Sequence, residues 1–130
     1  PLIMGCDLRK ASEETKKTLL NKDLIAINQD LEARGAYVIK PLPDVYNENE
    51  AFILVKPLAD GDLAIGIFNF SDTQRELSLE FWDMGIPYAA GVSLSLHDCI
   101  TGEELGEFTE RFAPVVPSHG CVVVRAHLAE

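Results

Sequence analysis

Basic residues are few in this sequence: 11 Lys and Arg stand against 21 Asp and Glu, a formal net charge of −10 at neutral pH. That balance argues against nucleic acid and against anionic membrane as partners, because both are bound by clustered cations that displace counterions. A neutral ligand such as a sugar stays compatible. Cysteine is scarce as well, with only Cys6, Cys99 and Cys121. Three are too few for a disulfide framework, and an odd number leaves one thiol free. We expect them reduced and mostly buried, since free Cys packs as a small hydrophobe. No apolar run approaches the roughly 18 residues of a membrane span. Pro1 to Gly5 lacks the basic region and apolar length of a signal peptide. The chain opens on Pro1 rather than Met, so we expect it to begin within a longer protein, which leaves secretion open.

What is present is the composition of a folding chain. Its 130 residues, 47% hydrophobic and 25% charged, suffice for one ordinary domain, or for a small domain with a piece of another. Pro1 to Gly5 reads as a short strand buried on both faces. Ser12 before Glu13 and Glu14 reads as a helix N-cap with acidic residues in the first turn. Leu19, Leu20, Leu24 and Ile27 then recur near helical spacing, predicting one helix or two short ones over 13–29. Beyond Gly35 the period becomes two. Leu77, Leu79 and Phe81 alternate with Glu76, Ser78 and Glu80, and the same holds around Leu94 and Val124. Turn signals at Asp60-Gly61, Ser71-Asp72, Thr101-Gly102 and Pro117 to Gly120 separate the runs. About seven strands, near residues 36, 52, 65, 78, 94, 110 and 124, fit an antiparallel sandwich. A lone strand and helix cannot cover their own apolar faces, so the first thirty or so residues read as part of a larger unit.

Particular strings carry a resemblance. Pro1 to Arg9 (PLIMGCDLR), Ser12 to Leu20 (SEETKKTLL) and Asn21 to Asp30 (NKDLIAINQD) are similar to the last barrel strand and helix of the melibiase-type α-galactosidase and α-N-acetylgalactosaminidase family of glycoside hydrolases. Ile67-Phe68-Asn69, Phe81 to Pro87, His97-Asp98 and Val116 to Gly120 resemble that family's C-terminal β domain. The resemblance implies that residues 1–31 are the last β/α unit of a (β/α)8 catalytic barrel. Residues 36–130 would then be a mainly β, antiparallel Greek-key type sandwich of about seven to eight strands. It further implies a parent enzyme that hydrolyses terminal α-linked galactosides with retention, without cofactor, using one Asp as nucleophile and another as acid/base. Those carboxylates would lie on middle barrel strands upstream of Pro1, leaving this chain structural and inactive by itself. Two departures stand out. The chain has Leu31 to Gly35 where relatives continue with Pro-Leu-Gly, and Cys99-Ile100 where they often carry Leu-Trp.

Four local features invite chemistry. Asp7, at the end of a barrel strand, is in a position where such barrels place active-site residues; the simpler reading is that Asp7 and Arg9 organise the following loop by capping or pairing. His97-x-Cys99 and His119-x-Cys121 repeat a His-x-Cys pattern, yet their spacing matches no common zinc module, and we assign no metal. Asn69-Phe70-Ser71 fits a glycosylation acceptor, its plainer reading being a hairpin-end turn. Trp82, with Tyr37, Tyr46 and Tyr88, raises a sugar-binding platform and hence a carbohydrate-binding sandwich as the alternative function; beside Phe81, however, Trp82 is expected to close the core. With Leu2, Ile3, Met4, Leu24 and Ile27 stripped of barrel partners, residues 1–31 are expected to drive dimerisation or to be partly disordered.

Overall fold

The computed structural model describes residues 5–41 and 51–129. The strand expected at Pro1 to Gly5, with Leu2, Ile3 and Met4, falls almost wholly outside those residues, as does Tyr46. The helical stretch is two helices, α1 Glu13–Leu19 and α2 Lys22–Asn28. Ser12 caps α1 as its position predicts, its hydroxyl accepting from the Thr15 amide at 3.1 Å. The break falls at Asn21, whose side-chain oxygen accepts from the amides of Asp23 and Leu24. An Asn in that role stops one helix and starts the next, satisfying amides that would otherwise go unpaired.

Ten strands follow among the described residues: β1 Tyr37–Pro41, β2 Ala51–Pro57, β3 Leu63–Asn69, β4 Arg75–Glu76, β5 Leu79–Glu80, β6 Ser93–Asp98, β7 Glu104–Thr109, β8 Arg111–Phe112, β9 Val115–Val116 and β10 Cys121–Ala129. Six form one antiparallel sheet in the order β1-β2-β3-β10-β6-β7. The last strand thus lies at the sheet's centre, between β3 and β6. β4 pairs with β9 and β5 with β8. These two ribbons share one register, and the Leu77 amide donating to Pro114 O at 3.1 Å bridges them. They amount to a single ladder interrupted where Pro114 has no N–H to give. That interruption is why the runs near 78 and 110 resolve into more pieces than the seven to eight strands expected.

The ladder lies over the inner face of the sheet, and the core fills the space between. Ala51, Ile53 and Val55 from β2, Ile65 and Ile67 from β3, Leu94 and Leu96 from β6, and Val124 and Ala126 from β10 meet Leu77, Leu79, Phe81, Phe112 and Val116 from the opposite layer. The alternation read from the sequence places these residues correctly, with Leu128 as an exception at 51% exposure near the end of β10. Each fully buried Leu, Ile or Phe contributes about 1.5–3 kcal/mol. This layer pair is therefore the main source of stability.

One buried polar residue ties the two layers. Asn69, 1% exposed, donates through Nδ2 to the carbonyls of Thr73, Val116 and Pro117 at 2.9–3.1 Å. Its Oδ1 accepts from the Ser71 amide at 3.0 Å and lies 2.7 Å from Ser71 Oγ. Asn69-Phe70-Ser71 is thus a turn built inward, and its amide nitrogen is committed to three carbonyls. Replacing it by Ala strands those acceptors in a dry site. Asn69→Ala is expected to cost about 2–4 kcal/mol, read as a lower urea midpoint at unchanged m; Ser118→Ala, in the facing turn over 117–120 where the hydroxyl of this exposed residue donates to Ser71 O, should cost less than about 1 kcal/mol.

Candidate functional site

The outer face of the sheet carries the polar chemistry. Asp7 and Arg9 stand near its helical cover and pair with each other: Arg9 Nε donates to Asp7 Oδ1 and Nη2 to Oδ2, both at 3.0 Å, and the Arg9 amide adds a third bond. The bond from the Arg9 side chain is the main reason that the Asp7 carboxyl sits below the usual range. A lowered, ion-paired carboxylate is the opposite of a general acid, which needs its proton held on.

α2 reaches the sheet through two contacts. Asn21 Nδ2 donates to Cys99 O at 2.7 Å, so the residue that caps the helix also tethers it. His97 on β6 faces a carboxylate with each ring nitrogen: Nε2 donates to Asp23 Oδ2 at 3.0 Å and Nδ1 to Glu104 Oε1 on β7 at 2.6 Å. Only the imidazolium can donate from both nitrogens. The Asp23 bond first, then the Glu104 bond, raise His97 above its ordinary value, with burial opposing them. A second cluster lies at the β2–β3 turn. Arg125 Nε donates to Asp62 Oδ2 at 2.6 Å and its Nη2 to Asp60, while His127 Nδ1 lies 2.5 Å from Asp62 Oδ1. Burial pushes Asp62 upward, yet the Arg125 and His127 bonds overcome it and hold the carboxyl below its ordinary value.

The helices do not close over this face. Neither contains a buried residue. An open cleft of about 840 Å³ runs between Leu24, Ile27, Asp30, Arg34 and Lys56, and another of about 480 Å³ lies between α1 and Cys121 and Val123. Leu20 and Leu31 are 73% and 91% exposed. Nearby, Phe52, Phe68 and Phe70 form an aromatic cluster on the outer face, with centroids 5.5 Å apart for Phe52–Phe70 and 6.4 Å for Phe68–Phe70. The Phe68 ring lies over Gly66, where a Cβ would come within 2.7 Å of it. Phe68 and Phe70 stand two apart, a signal that sequence reading could have used and did not, and Phe52 joins them by pairing across from Phe68.

Two expectations need correction. Cys99 is buried, but Cys6 and Cys121 are exposed: Cys6 lies in a bend ahead of α1, outside any helix or strand, and Cys121 is the first residue of β10. Burial pushes the Cys99 thiol up to about 11, which keeps it an inert thiol. Trp82 does not close the core: Phe81 does so at 1% exposure, whereas Trp82 is 62% exposed. Adjacent residues at the end of this strand run point to opposite sides, and the 3₁₀ turn over Phe81–Met84 carries the chain away from the sheet there. The two His-x-Cys pairs are also kept separate. His97 is occupied by Asp23 and Glu104, while His119 pairs with Asp72 at 2.9 Å. Among the described residues no group of three or more His, Cys, Asp or Glu is arranged to hold a metal.

Residues 48–126 match the model of the alpha-galactosidase C-terminal beta sandwich domain. The chain belongs to that family. Within this α-galactosidase C-terminal domain family, a Dictyostelium discoideum protein named "Probable alpha-galactosidase" is 35% identical over 127 residues, covering 95% of this chain and 31% of its own length. Alpha-galactosidase A of Cellvibrio japonicus is 32% identical over 136 residues, covering 96% of this chain and 31% of its own. The crystal structure of alpha-galactosidase I from Mortierella vinacea superposes with a TM-score of 0.82 at 25% identity, over 97% of this chain and 31% of that one. The chain thus spans about a third of the length of these relatives. The matched segment runs from before β2 into β10, ending three residues short of its last, and leaves out α1 and α2.

The raised His97 sets a pH dependence for the α2 contact. A group raised on folding adds stability that is fully present below its unfolded value, near 6.5, and is lost as pH rises through the higher folded value. The His97 ring signal should therefore titrate above about 6.5. The urea midpoint of α2 docking should fall as pH climbs from there, and Asp23→Asn should bring the titration down toward the ordinary value. A His97 titration at or below the ordinary value refutes the clamp.

Proposed function

We propose that this chain is the non-catalytic C-terminal portion of an α-galactosidase that hydrolyses terminal α-linked galactosides with retention. In this reading residues 1–31 are the last β/α unit of its catalytic barrel, with Asp7 and Arg9 ordering the barrel-end loop, and 36–130 form the β domain that braces it. The observation that carries the proposal is the incomplete outer layer: two helices without one buried residue, clefts beneath them, and Leu20 and Leu31 in solvent. Apolar helical surface of this kind needs a further partner layer, and the rest of a barrel supplies one. The Phe52, Phe68 and Phe70 cluster on the same side of the sheet gives that layer an apolar seat.

The chemistry agrees with this division. Retention needs two carboxyl groups roughly 5 Å apart, one ionised and one kept protonated. Here Asp7 and Asp62 are both held ionised by basic neighbours, which supports their role as structural pairs. The reactive pair then belongs to barrel strands upstream of Pro1. Residues 1–31, deprived of that barrel, form the surface through which two copies of the chain associate.

Two outcomes follow. The 130-residue chain should leave a chromogenic α-galactoside intact, whereas the polypeptide extended upstream through the barrel should hydrolyse it; turnover by the short chain itself overturns the proposal. Light scattering of the short chain should show mass rising with concentration, and Leu20→Glu should suppress that rise. A strictly monomeric profile at every concentration removes the association.

A further inference from the structure

We propose that Trp82 and Tyr88 form an accessory saccharide platform on the β domain, binding the apolar face of a neutral pyranose ring. The proposal rests on the glycosidase reading only for its choice of ligand. Both rings are largely in solvent, at 62% and 51% exposure. Their centroids stand 6.3 Å apart with planes inclined by 42°, making a shallow angled trough rather than a stacked pair. Adjacent exposed aromatics rimmed by polar groups are the kind of apolar surface that marks interaction sites.

The backbone beneath is built to hold them there. Trp82 rides on the 3₁₀ turn Phe81–Met84 and Tyr88 on a second, Tyr88–Ala90, joined through Pro87. Each turn is closed by a glycine in the left-handed region, Gly85 at φ 83° and Gly91 at φ 64°, a conformation that glycine adopts without penalty. Phe81 roots the first turn in the core, and its amide donates to Glu110 O at 2.7 Å. The trough is therefore pre-formed, which lowers the ordering cost of binding.

Polar groups of both kinds surround it. The Tyr88 hydroxyl donates to Glu80 Oε2 at 3.2 Å, and Glu80 Oε1 accepts from Ser78 Oγ at 2.7 Å. Arg111 stands directly across the ladder from Glu80. Beside Tyr88 opens a cavity of about 260 Å³ bounded by Ile86, Pro87, Val92, Thr109 and Glu110. That lies just under the roughly 300–1,000 Å³ of sites for drug-sized ligands, which suits a ring or two. A sugar offers C–H groups to an aromatic face and hydroxyls that both donate to Glu80 and Glu110 and accept from Arg111 and Thr109. A simple cation matches the carboxylates but meets Arg111. An anionic glycan meets a chain of net charge −10.

Trp82 is the only tryptophan in the chain, so its fluorescence reports the site alone. Raffinose titrated into the 130-residue chain should change Trp82 emission saturably, with Kd of about 1–10 mM. Tyr88→Ala and the isosteric Glu80→Gln should each weaken binding about tenfold or more, with far-UV circular dichroism unchanged. In native gels containing galactomannan, Trp82→Ala should abolish the retardation shown by the parent chain. No response up to about 100 mM raffinose, or an equal response to tetramethylammonium chloride, overturns the platform. Raffinose binding with no α-galactosidase activity from the upstream-extended polypeptide sinks the proposed function and leaves the site standing. Activity without any Trp82 response does the reverse.

Discussion

A sheet with apolar side chains on both faces needs two covering layers, and this chain holds them very unequally. On the inner face the interrupted ladder of β4, β5, β8 and β9 meets β2, β3, β6 and β10 over a continuous buried cluster. On the outer face two seven-residue helices rest with nothing buried. Almost every other feature follows from that imbalance. The inner side can rely on area, at about 25 cal/mol per Å² of apolar surface removed from water, and needs only Asn69 to fix the position of the ladder. The outer side lacks that area, so its contacts are polar and individually placed: Asn21 to Cys99 O, His97 to Asp23, Lys56 to Arg34 O, Asp30 to the Ala59 amide.

Magnitudes decide how firmly each layer is held. Partly exposed ion pairs and hydrogen bonds contribute on the order of 0–1 kcal/mol apiece, and the His97 and Asp30 contacts are of this kind. A handful of them positions a helical hairpin without locking it. Several core side chains at about 1.5–3 kcal/mol each do lock the ladder. The two layers are accordingly separable in energy, and the outer contacts act chiefly to set register and orientation. Asn21 serves that purpose well, since one side chain both ends the frayed helix boundary and fixes where the next helix meets the sheet.

The legible part of the fold was the part governed by periodicity. Leu77, Leu79, Phe81, Leu94, Leu96, Val124 and Ala126 announce their burial because strand geometry sends alternate residues to opposite faces. Ser12 announces a cap because its hydroxyl stands before two glutamates. Trp82 misled because it was grouped with its neighbour Phe81; the alternation of Leu77, Leu79 and Phe81, continued one step, already places it on the opposite side. The turn at Asn69 was legible, but its tie between the layers was not: its three carbonyl acceptors come from Thr73 and from Val116 and Pro117, the last two more than forty positions away. The role of His97 was likewise hidden, because its partners Asp23 and Glu104 come from two other elements. Family strings identified the chain readily, and the reading of residues 1–31 as part of a larger unit anticipated that α1 and α2 bury no residue here.

That uncovered helical surface bears on what a supporting domain can do for chemistry elsewhere. Reaction rates respond to displacements of reacting groups well under 1 Å, so a brace matters through stiffness rather than through any group it brings near the substrate. In the proposed enzyme a barrel would sit with its last helices between its own sheet and this one, and the dense inner layer would make the β domain a rigid backing. The polar contacts of Asn21, His97 and Asp30 would then fix the angle at which that backing is applied. A loose apolar seat alone would permit sliding, because burial is roughly proportional to area and carries no direction. Directional hydrogen bonds at a few points remove that freedom even though each is weak, which explains why the few polar contacts of the outer face act on position.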